Sequence, residues 1–291
     1  MSVVEFLASS LISYLTVAAV LGLLVGSFLN VVIYRLPVML ERQWEAGCRE
    51  ALDLEPVDRR AAPRFDLVKP DSRCPKCERP IKAYENIPVI SFLLLRGKCP
   101  GCHSQISWRY PAIEVLTAIL SVVVAYQFGV SWLAFWGLIL TWALIALSFI
   151  DFDHQILPDV ITLPLLWLGL LLSVSSVYVG ASESIIGAAV GYMSLWTVYH
   201  VFRLLTGKEG MGFGDFKLLA VLGAWLGWQS LPVIVLFSSF AGALIGISLI
   251  VMLGRDKNVP IPFGPYLAIA GWCALLWGQD ITDAYLSFSG L

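Results

Sequence analysis

The sequence predicts an all-α polytopic membrane protein with about eight transmembrane helices and a cytoplasmic zinc-knuckle insert between helices 1 and 2. Apolar residues make up 58% of the 291 residues and charged residues 14%, and the mean hydropathy is +0.79. In a soluble domain about a quarter of the residues are charged. The net charge of −2 gives no sign of a nucleic-acid partner. We therefore expect a lipid bilayer to surround most of the chain.

Eight apolar runs are the candidates for membrane-spanning helices, because a span needs roughly 20 apolar residues. The sixth and eighth runs are short, so their ends are the least defined. The first run is not expected to be a cleavable signal peptide, since the only charged residue before it is Glu5 and it has no clear small-residue cleavage site. The eight runs are residues 11–34, 111–128, 131–150, 159–179, 184–205, 215–228, 231–253 and 263–277.

The distribution of charge predicts how these helices are oriented in the membrane. Between Arg35 and Arg109 lie 14 of the 19 Lys and Arg residues, and the other five lie at alternate ends of the predicted helices. The acidic residues Glu5, Glu183 and Asp280 fall on the opposite side. By the positive-inside rule, the long polar segment is cytoplasmic and both termini are outside.

This polar segment divides the chain into three parts. Residues 1–34 form the first transmembrane helix, residues 35–110 a cytoplasmic zinc-binding insert, and residues 111–291 a membrane domain of seven helices. The insert contains its own cysteines and is rich in Arg and Pro.

Four cysteines of the insert have the spacing of a zinc site. Cys74-Pro-Lys-Cys77 and Cys99-Pro-Gly-Cys102 are two C-x2-C knuckles with 21 residues between them. This spacing lets four thiolates converge on one zinc ion, and four protein ligands leave no open position, so the zinc is expected to be structural. Disulfides are the alternative, but a cytoplasmic location argues against them. His103 follows the second knuckle and is a possible substitute ligand.

Two aspartates stand at the edges of apolar runs. Asp151 follows the third run directly, and Asp215 opens the sixth run after Gly212 and Gly214. An acid at the rim of the hydrocarbon is costly and is usually functional. Each aspartate alone could instead serve as a helix cap, as Asp159 could before the fourth run.

The pairing of Asp151 with Asp215 favours chemistry over capping. The charge pattern places both on the cytoplasmic side and on different helices, so they can face each other. Two close carboxylates share one proton. The ionised member can then activate a water while the protonated member polarises a carbonyl group. This arrangement predicts peptide-bond hydrolysis without a metal or a covalent intermediate.

Several segments together carry a family resemblance. Residues 26–37 read Gly-Ser-Phe-Leu-Asn-Val-Val-Ile-Tyr-Arg-Leu-Pro, and residues 151–159 read Asp-Phe-Asp-His-Gln-Ile-Leu-Pro-Asp. Residues 210–215 read Gly-Met-Gly-Phe-Gly-Asp, and residues 262–265 read Pro-Phe-Gly-Pro. With these segments and the two cysteine knuckles, nearly the whole chain resembles the type IV prepilin peptidases. These are bifunctional leader peptidases and N-methyltransferases of pilus and type II secretion systems.

The resemblance implies a specific activity. Asp151 matches the first Asp of the family's D-x-D-H motif and Asp215 the Asp of its G-x-G-D motif, and these two residues are the catalytic pair in that family. The protein would cleave the basic leader of prepilins and pseudopilins after a glycine, at the cytoplasmic face of the bacterial inner membrane. It would then methylate the new N-terminus with S-adenosylmethionine. Both termini would be periplasmic, residues 35–110 would be associated with methyl transfer, and residues 111–291 would form the peptidase domain.

The sequence does not locate the methyl-donor site. The chain has no G-x-G-x-x-G loop, so an ordinary Rossmann site is not expected. The cofactor-binding residues are therefore unknown, although five residues of the insert and its flanks are candidates, each of which also has a structural interpretation. They are Arg35, Glu85, Asn86, Gly97 and Arg109.

Two other functions remain as alternatives. Intramembrane acids also occur in transporters, but a transporter would predict inverted repeats and acids at mid-membrane depth. A non-enzymatic zinc-bearing assembly factor of a pilus complex would tolerate the loss of either Asp151 or Asp215.

Overall fold

The computed structural model describes residues 9–54, 64–253 and 261–289. Glu5, whose charge entered the predicted orientation, lies outside these ranges. Within them the chain forms nine α-helices and two short 3-10 turns. The helices are α1 (Leu11–Ala51), α2 (Ile90–Leu94), α3 (Arg109–Phe128), α4 (Trp132–His154), α5 (Asp159–Val174), α6 (Ala181–Thr206), α7 (Phe213–Leu226), α8 (Leu231–Leu253) and α9 (Gly264–Ser289).

The predicted all-α membrane fold is confirmed. Every one of the eight apolar runs coincides with a helix, and only the short α2 lies outside them. Five spans are long and apolar enough to cross a membrane: Leu11–Ala51, Arg109–Phe128, Trp132–His154, Ala181–Thr206 and Trp228–Ser248. Since α5 has 16 residues and α7 has 14, the number of eight crossings stays a prediction.

The first helix is longer than its apolar run. The run ends at residue 34, but α1 continues through Pro37 to Ala51. The apolar run ends where charged residues begin, but the helix does not end there. Residues 41–51 are rich in good helix formers such as Glu, Arg and Ala, so the helix continues into the polar insert.

The chain divides into two compact units, residues 1–130 and 131–291. In the first unit, α1 and α3 pack with their backbones in close contact. A Cβ atom on Gly22 would lie 2.6 Å from the Cα of Ala118, and a Cβ on Gly26 would lie 2.7 Å from the Cα of Glu114. Small residues at such an interface allow the close approach that drives helix association in lipid.

The second unit is built around α7. This helix is buried along most of its length and packs against α5, α6 and α9. Its contact with α6 is the closest, because a Cβ on Gly223 would lie 2.1 Å from the carbonyl oxygen of Gly187. One turn further along, a Cβ on Gly191 would lie 2.7 Å from the carbonyl oxygen of Leu219. This packing fixes the N-terminus of α7, where Asp215 lies.

The contact between α6 and α7 is testable with one added methyl group. Gly223→Ala forces the two backbones apart, and we expect it to lower the free energy of unfolding by about 1–3 kcal/mol. Gly47→Ala is the matched control, because a Cβ at Gly47 meets nothing within 4 Å. That change should raise stability by about 0.5–1 kcal/mol. Thermal unfolding in detergent measures both, and a Gly223→Ala protein as stable as the wild type would contradict the packing.

Candidate active site and metal centre

Asp151 lies in the last turn of α4 and is 5% exposed. Its Oδ2 accepts a hydrogen bond of 3.0 Å from the backbone N–H of Gly264, the first residue of α9. A carboxylate is stabilised at the N-terminus of a helix, where backbone N–H groups lack partners. Only glycine fits at position 264, because a Cβ there would lie 2.6 Å from Oδ2.

Asp215 lies in the first turn of α7 and is 6% exposed. Its backbone N–H donates to the carbonyl of Gly212 at 3.3 Å. The glycine just before it is also in close contact with a neighbour, since a Cβ on Gly214 would lie 2.8 Å from the Cβ of Leu157.

One side chain connects the surroundings of the two aspartates. Leu157 is buried in the segment between α4 and α5, against Gly214, which precedes Asp215. The same side chain lies against Gly264, where an added Cβ would be 3.2 Å from Leu157 Cδ1. Asp151 and Asp215 are close enough to interact electrostatically. The structure thus brings together the two predicted aspartates, which come from different helices.

The other polar residues of the 151–159 segment lie outside this buried pair. Asp153 and His154 are exposed, as expected for a solvated turn. Asp159 opens α5, and its carboxylate accepts from Lys217 Nζ at 2.6 and 2.8 Å. The sequence analysis did not predict this ion pair. Its signal was Lys217 near the N-terminus of an apolar helix, where a cation is unfavourable without a partner.

The four predicted cysteines of the insert form a cluster. Their sulfur atoms all lie within 4.8 Å of one another, and His103 is not part of the group. The Cys74 and Cys102 sulfurs are 3.8 Å apart, and those of Cys77 and Cys99 are 3.9 Å apart. A disulfide would require about 2.05 Å. Tetrahedral zinc with Zn–S bonds of about 2.3 Å separates its sulfur ligands by about 3.8 Å. The donor set and the spacing therefore fit one four-thiolate metal ion.

The thiols of the first knuckle differ in acidity. Backbone N–H groups of Cys77 and Lys76 lower the pKa of the Cys74 thiol to about 6, whereas burial and the neighbouring thiols raise the pKa of Cys77 to about 11. An isolated β-bridge flanks each knuckle, Arg73 with Pro80 in the first and Lys98 with Gln105 in the second. Thiolates are the form of cysteine that binds metal.

Two of the candidate methyl-donor residues have structural partners. Arg35 is buried and donates to the carbonyls of Asp66 at 2.9 Å and Pro70 at 2.7 Å. Glu85 accepts two hydrogen bonds from Arg79, at 2.8 and 3.1 Å, and this pairing lowers the pKa of the Glu85 carboxyl. Both residues hold the insert together.

The remaining three candidates lie in turns or at the start of a helix. Asn86 ends a 3-10 turn, Arg109 begins α3, and Gly97 adopts a positive φ of 66° beside the ring of Phe92. None of the five candidates is therefore assigned to the methyl donor.

A buried carboxylate in α3 was missed by the sequence analysis. Glu114 is 8% exposed, its Oε2 accepts from the backbone N–H of Val89 at 2.8 Å, and the Ser27 side chain also bonds to it. Val89 has φ of 60°, which is strained for a β-branched residue. Glu114 thus fastens the start of α2 to the pair of α1 and α3. An acid inside an apolar run was the available signal.

The fold and the two sites define a polytopic membrane protein with a buried pair of aspartates and a separate four-cysteine centre. Two family models match successive parts of the chain, and each part contains one of the two sites. The model described as "Bacterial Peptidase A24 N-terminal domain" matches residues 20–128, which contain the cysteines. The model described as "Type IV leader peptidase family" matches residues 138–247, which contain Asp151 and Asp215.

Full-length relatives carry one shared name, prepilin leader peptidase/N-methyltransferase. The protein from Stutzerimonas stutzeri is 55% identical over 291 residues, covering 100% of both chains. The protein from Pseudomonas aeruginosa is 53% identical over 290 residues, covering 100% of this chain and 99% of its own. The one from Neisseria gonorrhoeae is 54% identical over 255 residues, 88% of this chain and 87% of its own. No solved structure matches the chain. The chain belongs to the type IV leader peptidase family.

The bond between Glu114 and Val89 can be tested with two variants. Glu114→Gln keeps an acceptor oxygen for the Val89 N–H and should behave like the wild type. Glu114→Leu leaves that N–H without its acceptor and should destabilise the protein by about 1–3 kcal/mol. Limited proteolysis should then cut residues 64–108 faster. Equal rates of proteolysis in the two variants would contradict a fastening role.

Proposed function

We propose that this chain is an intramembrane aspartic endopeptidase of the G-x-G-D type, with Asp151 and Asp215 as its catalytic pair. It cleaves the basic leader of type IV prepilins and pseudopilins after a glycine, then methylates the new N-terminus with S-adenosylmethionine. The observation that carries the proposal is the burial of both carboxylates around Leu157, on helices that begin or end at the pair. The shared name of the full-length relatives supports the substrate and both activities.

The pair performs hydrolysis with one shared proton. The ionised carboxylate takes a proton from water, and the water oxygen bonds to the scissile carbonyl carbon. The protonated carboxyl gives its proton to the carbonyl oxygen at the same time. The C–N bond then breaks as the first carboxyl protonates the leaving nitrogen and the second takes a hydroxyl proton back. Both groups end in their starting states, and no covalent enzyme intermediate forms.

The glycine-rich segment before Asp215 suits an extended substrate. Gly212 leaves the backbone open for close approach of another chain in the manner of strand addition, since a Cβ there would meet no neighbour closer than 3.9 Å. Gly210 and Gly214 already lie against Phe202 and Leu157. The apolar helix that follows the leader of a prepilin can pack in the bilayer beside the bundle. The basic leader then stays in the cytoplasm, near an insert that carries ten acidic residues between Glu41 and Glu85.

The charge distribution supports the orientation that this reaction needs. We place the protein in the bacterial inner membrane as a multi-pass protein, with both termini periplasmic and the aspartates at the cytoplasmic face. The basic residues of the insert and Lys217, beside Asp215, lie on the side that the positive-inside rule makes cytoplasmic.

The metal is a structural zinc ion, one per chain, held by Cys74, Cys77, Cys99 and Cys102. It closes an insert that is too small to build a large core of its own. S-adenosylmethionine would supply an electrophilic methyl group to the new amine, and the residues that bind it are not assigned. In this proposal residues 1–34 are the first span, residues 35–110 serve methyl transfer, and residues 111–291 are the peptidase.

Conservative replacement of either aspartate tests the catalytic pair. Asp151→Asn and Asp215→Asn should each lower the rate of prepilin cleavage by at least about 100-fold, because each removes one partner of the proton transfer. The exposed Asp153→Asn is the matched control and should cleave normally. Gel assays on purified protein give the rates, with zinc content and helix content as checks on folding. Cleavage by Asp151→Asn at the wild-type rate would move the assignment to Asp153.

Removal of zinc should separate structure from catalysis. Replacing Cys74 and Cys77 by Ser should release the metal and destabilise the insert, as measured by metal analysis and proteolysis. Retention of one zinc per chain in that variant would count against the four-thiolate site. An added chelator should not stop leader cleavage promptly, since the zinc has no open position. Prompt inhibition would instead indicate a metalloprotease.

A further inference from the structure

Among the described residues, the buried hydroxyl group of Tyr199 in α6 has no hydrogen-bond partner. The residue is 2% exposed, and among the described residues its hydroxyl is the one buried side-chain nitrogen or oxygen atom that lacks a hydrogen bond. Leaving a buried polar group unsatisfied costs about 1–3 kcal/mol. A buried group of this kind in a native structure needs an explanation. One explanation is that a bound ligand supplies the missing hydrogen-bond partner.

Tyr199 lies beside the glycine-rich segment. Its ring contacts those of Phe213 and Phe216, with centroids 5.2 and 5.7 Å away, and these two residues flank Gly214 and Asp215. One turn along α6, Phe202 lies against Gly210, where an added Cβ would be 2.8 Å from the ring. The C-terminal part of α6 therefore supports the segment that leads to Asp215.

The packing register of α6 on α7 gives the same position independently. Gly187 faces Gly223, and Gly191 faces Leu219, so the two helices run antiparallel in steps of one turn. One further turn brings Leu195 level with Asp215, so Tyr199, one turn beyond Leu195, lies beside the start of α7 at Phe213. This is the place where an extended substrate would lie if it followed the glycine-rich segment.

We propose that the Tyr199 hydroxyl is a substrate-binding group, which donates a hydrogen bond to a backbone carbonyl of the extended scissile segment. The Phe213 ring packs against Tyr199 and is itself 50% exposed. A substrate chain that lies along residues 210–214 would therefore contact Phe213, beside Tyr199. A peptide carbonyl is present in every prepilin, whatever its side chains, which suits an enzyme with several substrates. The inference rests on the proposed peptidase function.

Tyr199→Phe removes the hydroxyl and keeps the ring that packs on Phe213 and Phe216. Without substrate, we expect this variant to be as stable as the wild type or more stable, because an unsatisfied group has been removed. With a prepilin substrate, kcat/KM should fall about two- to tenfold, mainly through KM, which corresponds to the loss of one hydrogen bond. Tyr192→Phe is the matched control, since Tyr192 lies on the same helix and its ring also contacts Phe216.

A second measurement separates binding from catalysis. In an Asp215→Asn background, which is inactive if the proposed function holds, adding Tyr199→Phe should raise the Kd for the intact prepilin by a similar factor. Wild-type kinetics and Kd in the Tyr199→Phe proteins would overturn the inference, as would a loss of stability without substrate, which would reveal a partner within the chain. Cleavage by Asp215→Asn itself would instead overturn the proposed function, so the two failures are distinguishable.

Discussion

The placement of the two aspartates depends on the packing of Leu157 between two glycines. Gly214 precedes Asp215 at the start of α7, and Gly264 binds Asp151 at the start of α9. A side chain at either glycine would collide with Leu157 or with Asp151 itself. Three separate segments of the second unit can therefore meet at one point only because two of them lack a Cβ. Both carboxylates are buried beside this meeting point, with Asp151 5% and Asp215 6% exposed.

The fold supports this meeting point with a rigid neighbour. Direct contact between the glycine backbones of α6 and α7 fixes the axis of α7, and the ion pair of Lys217 with Asp159 ties its N-terminal part to the start of α5. The cysteines belong to the first compact unit and the aspartates to the second.

Local patterns in the sequence predicted the parts of the structure that depend on local physics. Apolar runs located the eight long helices, and the spacing of Cys74, Cys77, Cys99 and Cys102 predicted their cluster. The pairing of Asp151 with Asp215 also followed from the sequence, because charge placed both on one side of the membrane. The end of α1 did not follow, since a helix need not stop where its apolar run stops.

Local sequence patterns could not predict contacts between segments that are far apart along the chain. Leu157 reads as one more apolar residue in a polar loop, and its role appears only when α7 and α9 are placed beside it. In the sequence Tyr199 looks like an ordinary aromatic residue, and only the structure shows that its buried hydroxyl has no partner in the part of the chain that is described. Glu114 is the exception, because an acid within an apolar run was visible in the sequence.

We infer that Asp151 and Asp215 face each other before any substrate binds. A short bifunctional thiol reagent tests this in the full-length protein, with Cys48 and Cys273 replaced by Ser and the metal-binding cysteines retained. The pair Asp151→Cys and Asp215→Cys should be cross-linked in detergent without substrate, as read by mass spectrometry of the joined peptides. The pair Asp153→Cys and Asp215→Cys should not, because residues two apart on a helix point in different directions. Equal cross-linking of both pairs, or none at 151 and 215, would contradict the account.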